Sequence, residues 1–257
     1  MTVATADPFR FTTIAHSDHR YASPLGEGKA ATLLEVIARS EAVARDDKAI
    51  DVGCGKAAFL IDAVRRLGLR GVGVDPNPAF IDAAKKAASA AGVAERITFH
   101  QSTVADLPLG RHEFAFVACI GATHAFGGYR AGLHSLAGLV RPGGLLLVGE
   151  GYWRKQPDPS YLAFLGAQPD DYGSHGDNEA LGLTARLQPI YSCTASVEEW
   201  DHYEGLYLAG VERHLAQHPD DPDRDLFAKR IRTWRDAYRR YGRDTLGFGF
   251  YLFRSPS

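Results

Sequence analysis

Residues 49–64 read AIDVGCGKAAFLIDAV, and this stretch decides the fold. Ala49–Val52 is a short, mainly apolar run of the kind buried on both faces of a sheet. Gly53-Cys54-Gly55 breaks it, and the residues after Ala57 are apolar at helical spacing. A strand that turns on glycines straight into a helix opens a βαβ unit, whose backbone N–H groups face a ligand. The run Gly53-Cys54-Gly55-Lys56-Ala57-Ala58 satisfies G-x-G-x-x-(G/A), and Asp75 closes the next strand 20 residues after Gly55. Both features fit a nucleotide whose ribose hydroxyls bond an acid. Asp51 narrows the choice of nucleotide. A carboxylate two residues before the first glycine repels a pyrophosphate and suits an ammonium, directly or through water.

Outward from this unit, strand and helix patterns alternate. GVGVD, RITFHQS, EFAFVACI and LLLVGEG read as strands, separated by the helices AAFLIDAVRRLG, PAFIDAAKKAASAAG and YRAGLHSLAGLV. With KAIDVG they make five strands joined by helical crossovers, hence a parallel sheet covered on both faces. Before them, SPLGEGKAATLLEVIARSEAVAR reads as a helix capped by Ser23, with Pro24 in its first turn. Beyond them, PIYSCTAS and LGFGFYLFR read as two further strands. A helical hairpin separates these two. Its first helix carries Val197, Trp200, Tyr203, Tyr207, Val211 and Leu215 on one side, and its second carries Ile231, Trp234, Tyr238 and Tyr241.

The totals restrict the class. The 257 residues suffice for one large domain, and the formal net charge of -2 gives no global attraction to nucleic acid or anionic membrane. Cys54, Cys119 and Cys193 are odd in number, far apart and without a CxxC pair, which argues against a disulfide framework or a zinc cluster. We therefore expect a cytoplasmic protein with no metal and no membrane association. The N-terminal twenty residues lack the pattern of a signal peptide.

Five blocks in order, IDVGCGKAAF, GVGVDPNPAFIDAAKKAA, ITFHQSTVADLP, FAFVACIGATHAFGG and LVRPGGLLLVGEG, resemble the class I S-adenosylmethionine-dependent methyltransferases over about residues 20–150. The resemblance implies a Rossmann-like, doubly wound, seven-stranded and mostly parallel sheet. Helical lid insertions follow the fifth strand and separate the sixth from the seventh. The chain is then one domain, 1–257, with an arm at 1–22, a cofactor-binding half at 23–151, a lid insertion at 152–186 and the hairpin at 197–244.

S-adenosyl-L-methionine is the implied cofactor. Gly53 and Gly55 would let the backbone approach its methionine part and ribose, and Asp51 would hold the amino group. Asp75 would accept both ribose hydroxyls, Pro76 and Asn77 would shape the adenine wall, and Thr103 and Val104 would flank adenine. The carbonyl of Cys119 or a neighbour would meet the ammonium. The family often has an acid after the third strand; here Thr103 stands there, with Asp106 three residues on as a substitute.

Transfer from a sulfonium is an in-line displacement in which alignment and exclusion of water matter most. A base is needed where the acceptor loses a proton. His124, in the glycine-bounded loop GATHAFGG, is the candidate base; the alternative is a histidine that merely bonds its loop. Tyr21 offers an aromatic face to a sulfonium or packs in the core. Tyr152, Trp153 and Arg154 follow the fifth strand, and His175 lies with Tyr172 in the Gly/Asp-rich lid; all four of Tyr152, Trp153, Arg154 and His175 are candidate substrate contacts. His16 and His19 read as surface residues. Arginines on the second hairpin helix face an acidic first helix, which explains the basic run without nucleic acid. The expectation is a methyltransferase acting on a small, aromatic or heterocyclic metabolite, as monomer or homodimer. The alternatives are an NAD-type oxidoreductase, which leaves Asp51 without a role, and a nucleoside-binding module without turnover.

Overall fold

The computed structural model describes residues 7–257. Seven strands form one sheet: β1 (Lys48–Val52), β2 (Arg70–Asp75), β3 (Ile97–Gln101), β4 (Phe114–Ile120), β5 (Val140–Trp153), β6 (Gln188–Thr194) and β7 (Leu246–Arg254). Their order is β3-β2-β1-β4-β5-β7-β6. Pairs among the first five are parallel, and β7 runs antiparallel to both β5 and β6. The expected seven-stranded, mostly parallel sheet is thus present.

The helices cover both faces. In chain order they are α1 (Arg10–Ala15), α2 (Glu27–Arg39), α3 (Ala58–Leu67), α4 (Pro78–Ala90), α5 (Tyr129–Ala137), α6 (Pro159–Leu165), α7 (His175–Thr184), α8 (Val197–Gln217) and α9 (Arg224–Ala237). Strand residues alternate between two cores. Ala49, Phe116, Leu145, Leu147 and Phe250 pack with α2 and α3, while Ile50, Val117, Leu146, Val148 and Tyr251 pack with α5. A third cluster lies off the sheet, where Phe11 and Ala15 of α1 meet Tyr207 and Val211 of α8 and Phe227 and Ile231 of α9.

Three boundaries differ from the sequence reading. The first helix starts at Glu27, not after Ser23, because Gly26 is its N-cap and the Gly26 N–H donates to Glu199 of α8 (3.1 Å). It ends at Arg39, since Ser40 folds its hydroxyl onto the Ile37 carbonyl and Glu41 takes a left-handed φ of 55°. The fifth strand runs on to Trp153 because β7 pairs with it that far, Tyr152 against Gly247 and Trp153 against Leu246. The segment after it is anchored rather than free: α7 packs against β5, β6, β7 and α5, and Tyr161 of α6 stacks on Tyr241. Among the described residues, no helix is long and apolar enough to cross a membrane.

Candidate active site

The C-terminal ends of β1, β2 and β4 open into a cavity of about 620 Å³. Its floor is the turn after β1. Val74 O of the neighbouring strand accepts from the N–H groups of Gly53 (2.8 Å) and Cys54 (3.0 Å), which folds the chain tightly back. Gly53 has φ +72°, and a Cβ there would overlap the Ala122 side chain; Gly55 has φ +55°. Position 53 therefore requires glycine and the left-handed φ of Gly55 favours it, and the backbone is left bare toward the cavity.

Two buried carboxylates face this space. Asp75 accepts from Gly55 N–H and Asn77 N–H, each at 2.9 Å, one bond to each oxygen. Each oxygen keeps lone pairs for a ligand hydroxyl. Burial pushes its carboxyl up, against those two backbone bonds. Asp51 is 4% exposed and accepts no hydrogen bond from a described residue. Desolvation first, and the Asp75 charge second, push its carboxyl up to about 8. A buried acid without a donor is costly unless a cation joins it. The two cations lining the cavity are already engaged. Arg20 pairs with Asp62 through two bonds of 3.0 and 2.7 Å, and Lys56 Nζ donates to the His16 (2.8 Å) and Ser17 (3.2 Å) carbonyls. Acid without free base fits an ammonium-bearing nucleoside and opposes a pyrophosphate.

The roof comes from far away in sequence. Phe9, Thr12, His16, Arg20 and Tyr21 of the arm and Tyr203 of α8 line the same cavity. Asn77 joins the two parts: its Oδ1 caps α4 at Ala79 N–H, while its Nδ2 donates to Thr13 of α1 (2.9 Å). His16 and His19 are buried, not on the surface, because Tyr203 takes both. His16 Nε2 lies 2.9 Å from the Tyr203 hydroxyl, and His19 Nε2 lies 2.9 Å from its carbonyl.

The structure gathers Asp51, Gly53, Gly55, Asp75, Pro76, Asn77, Thr103, Val104, Tyr21 and His124 around the cavity. His124 is exposed there, on a short 3₁₀ turn over Thr123–Phe126, and its imidazole makes no protein hydrogen bond among the described residues. Thr123 beside it donates to Glu150, whose other oxygen takes Gly151 N–H (2.9 Å). The Tyr21 hydroxyl is spent on Asp62 (2.9 Å), so the residue can offer a ligand only its ring, over which the Arg20 guanidinium lies 5.4 Å from the centroid.

Six of the residues singled out from the sequence do not line this cavity. The Cys119 side chain is fully buried and off the cavity, and of the two expected alternatives, Cys119 or a neighbour, it is the neighbours Ile120, Gly121 and Ala122 that line it, since β4 delivers its next residues to the edge. Tyr152, Trp153 and Arg154 are not among its lining residues either, because the lengthened β5 carries them past it, and His175 is absent from the lining because α7, which it opens, packs against β5, β6 and β7. Their polar groups are used elsewhere: Trp153 Nε1 on Pro169 O (2.9 Å), Arg154 near the Ala195 and Arg243 carbonyls, and His175 Nδ1 beside Tyr251 Oη (2.9 Å). Asp106 is likewise outside the lining, accepting from Thr103 Oγ1 at 2.5 Å. Of the residues missed, Phe80 had a local signal, one turn after Asn77 on an α4 face that looks at the floor. Thr12, His16 and Arg20 had none.

Comparison with known proteins agrees with this geometry. A methyltransferase domain family matches residues 49–144. The chain is 31% identical to the uncharacterized protein YjhP of Escherichia coli (strain K12) over 252 residues, covering 94% of this chain and 96% of that one. A SAM-dependent methyltransferase from Geobacter sulfurreducens, solved in complex with S-adenosyl-L-homocysteine, superposes with a TM-score of 0.89 at 27% identity, over 98% of this chain and 100% of that one. The chain belongs to the class I S-adenosylmethionine-dependent methyltransferases. A second such methyltransferase complex with S-adenosyl-L-homocysteine, from Thiobacillus denitrificans, has a TM-score of 0.87 at 26% identity, over 96% and 98% of the two chains. This methyltransferase uses S-adenosyl-L-methionine, and the oxidoreductase and non-catalytic alternatives fall. On its hairpin, the basic run is partly neutralised: Arg243 pairs with Asp201 of α8 (2.9 Å), Arg235 with Asp236 (3.1 Å), and Arg230 sits over the Phe11 ring.

Proposed function

We propose that this methyltransferase methylates a small, aromatic or heterocyclic metabolite in the cytoplasm, with His124 as the base where the acceptor must lose a proton. One observation carries this reading: the glycine turn, His124 and an aromatic roof line a single cavity of about 620 Å³. A chamber of that size, bordered by the arm and α8, suits a nucleoside with a small partner.

When bound, S-adenosyl-L-methionine supplies a methyl group on a sulfonium. The residues of the chain then divide the remaining work. Asp75 accepts the ribose hydroxyls with the lone pairs that Gly55 and Asn77 leave open. Asp51 would hold the amino group as a carboxylate, its proton released to solvent, with the carbonyls of Ile120 or Gly121, the neighbours of Cys119, beside it. Gly53 and Gly55 give their bare backbone, while Pro76, Thr103 and Val104 border the adenine. Tyr21 turns its ring face to the cationic end. His124, free of protein partners, removes the acceptor proton and holds it on an imidazole nitrogen.

The test has two arms. A panel of phenols, anilines and N-heterocycles is incubated with S-adenosyl-L-methionine, and release of S-adenosyl-L-homocysteine is followed. Release by none of them sinks the aromatic-acceptor reading. With an active member in hand, His124→Gln should cut turnover by roughly 10²–10⁴-fold and leave S-adenosyl-L-homocysteine affinity within about twofold. Undiminished turnover removes His124 as base.

A further inference from the structure

The roof contains a hydrogen-bond relay whose direction follows from chemistry. His16 Nδ1 lies 2.9 Å from the Thr12 carbonyl. The Thr12 hydroxyl, 3.1 Å from the same nitrogen, can donate or accept, but the nearer carbonyl only accepts, so the proton is placed on Nδ1. Burial holds the His16 ring down to about 4, so at neutral pH it has no second proton, and Nε2 is a bare lone pair. The Tyr203 hydroxyl, 2.9 Å from Nε2, must donate to it. Tyr203 stays a neutral phenol, since burial raises its own pKa. Its proton is thus committed away from the ligand, and its oxygen can only accept.

Placement says what it would accept from. Tyr203 and His16 both line the cavity. The His16 ring stands edge-on to Phe80 (6.1 Å between centroids), one turn into the helix that Asn77 caps. Thr13, beside Thr12, is bonded to Asn77, whose N–H is held by Asp75. The relay therefore stands over the Asp75 end of the cavity, where donors on a nucleoside are ribose hydroxyls.

We propose that Tyr203 is a further cofactor-positioning residue, its hydroxyl oxygen accepting a hydrogen bond from a ribose hydroxyl while His16 keeps the phenol proton turned away. The proposal rests on the ribose lying at Asp75 and is independent of the methyl acceptor and of His124.

Calorimetry with S-adenosyl-L-homocysteine and its 2′-deoxy and 3′-deoxy analogues tests it without turnover. Tyr203→Phe should weaken S-adenosyl-L-homocysteine about three- to tenfold, yet leave unchanged the affinity for the analogue that lacks the bonded hydroxyl. His16→Leu frees the phenol proton and should give a comparable selective loss; His16→Gln, whose amide oxygen can take that proton, should restore affinity to within about twofold. Equal loss for all three ligands, or none for the parent, overturns the proposal. Asp75→Asn that binds as tightly as the unaltered protein overturns the ribose placement and this proposal with it. Loss at Asp75 without selective loss at Tyr203 overturns the proposal alone.

Discussion

Floor and roof of the cavity are built on different principles. The floor is local: the turn at 53–55, the acid at 75 and the cap at 77 lie within one βαβ unit, held by backbone bonds such as Gly55 N–H to Asp75. The roof is remote: His16 meets Tyr203 across 187 positions of the chain, and Phe11 packs on Tyr207 and Phe227. A local device leaves a spacing in the sequence; a remote one leaves only residues that look unremarkable singly. The difference should also appear in energetics, with floor lesions acting on binding and roof lesions acting on docking of the arm.

The largest effect belongs to the floor. Asp75→Ala removes the acceptor for the ribose and for Gly55 and Asn77 N–H. Hydrogen bonds to a charged group contribute about 1.5–3 kcal/mol each, so two lost to the ribose should weaken S-adenosyl-L-homocysteine by roughly a hundredfold or more. Calorimetry measures this, and a loss below about tenfold would erase the contrast with the roof.

Asp51→Asn comes next and splits stability from binding. The Asp51 carboxyl sits at about 8 in the folded protein against a reference of 3.8, raised first by burial and then by Asp75. Between those values the native state holds a proton that the unfolded chain has released, so stability falls as pH rises from about 4 through about 8. Asparagine has no such loss. The ligand-free variant should therefore melt above the parent at pH 8, by about 2–4 °C per kcal/mol recovered, with the gap closing toward pH 4. Binding should weaken about tenfold or more, and the proton released when the parent binds at pH 7 should vanish. A variant that melts lower at pH 8 would mean that the carboxylate is satisfied in the fold.

Phe11→Ala probes the roof. Phe11 is 5% exposed and fills the space between α1, α8 and α9. Truncating such a phenylalanine costs about 3–5 kcal/mol, but Phe11 packs on α8 and α9 and not on the sheet, to which the first part of the arm is tied by side-chain bonds such as Asn77–Thr13 and Lys56–His16. The loss should appear as local opening: residues 7–25 become protease-sensitive, affinity falls about tenfold, and the main transition moves little. Global melting in step with the arm would show that floor and roof are one cooperative unit.

The same division explains what the sequence conveyed. β1 through β4 follow from apolar periodicity and glycine turns, and Asp51, Gly53, Gly55 and Asp75 from turn and acid spacing, whereas Pro76, Asn77, Thr103 and Val104 come only with the family resemblance. β5 was harder, because its last residues are strand only through pairing with β7, about a hundred positions away. That pairing withdraws Tyr152 and Trp153 from the cavity. His16 and His19 looked solvent-facing because histidine periodicity carries no sign of a tyrosine waiting on α8.

The smallest effect separates a ring from its hydroxyl. Tyr21 lines the cavity, but its hydroxyl points to Asp62, which already holds Arg20 through two bonds. Burial and the Asp62 charge push the phenol up to about 12, so it is neither a base nor an acid near neutrality. Tyr21→Phe should then change S-adenosyl-L-homocysteine and S-adenosyl-L-methionine affinity by less than about twofold. Tyr21→Leu removes the ring face, whose attraction for a cation is of order 1 kcal/mol. It should therefore weaken the sulfonium S-adenosyl-L-methionine several-fold more than the neutral thioether S-adenosyl-L-homocysteine. Equal loss of both ligands in Tyr21→Leu would reduce Tyr21 to a packing residue and move the roof's contribution wholly to Tyr203 and His16.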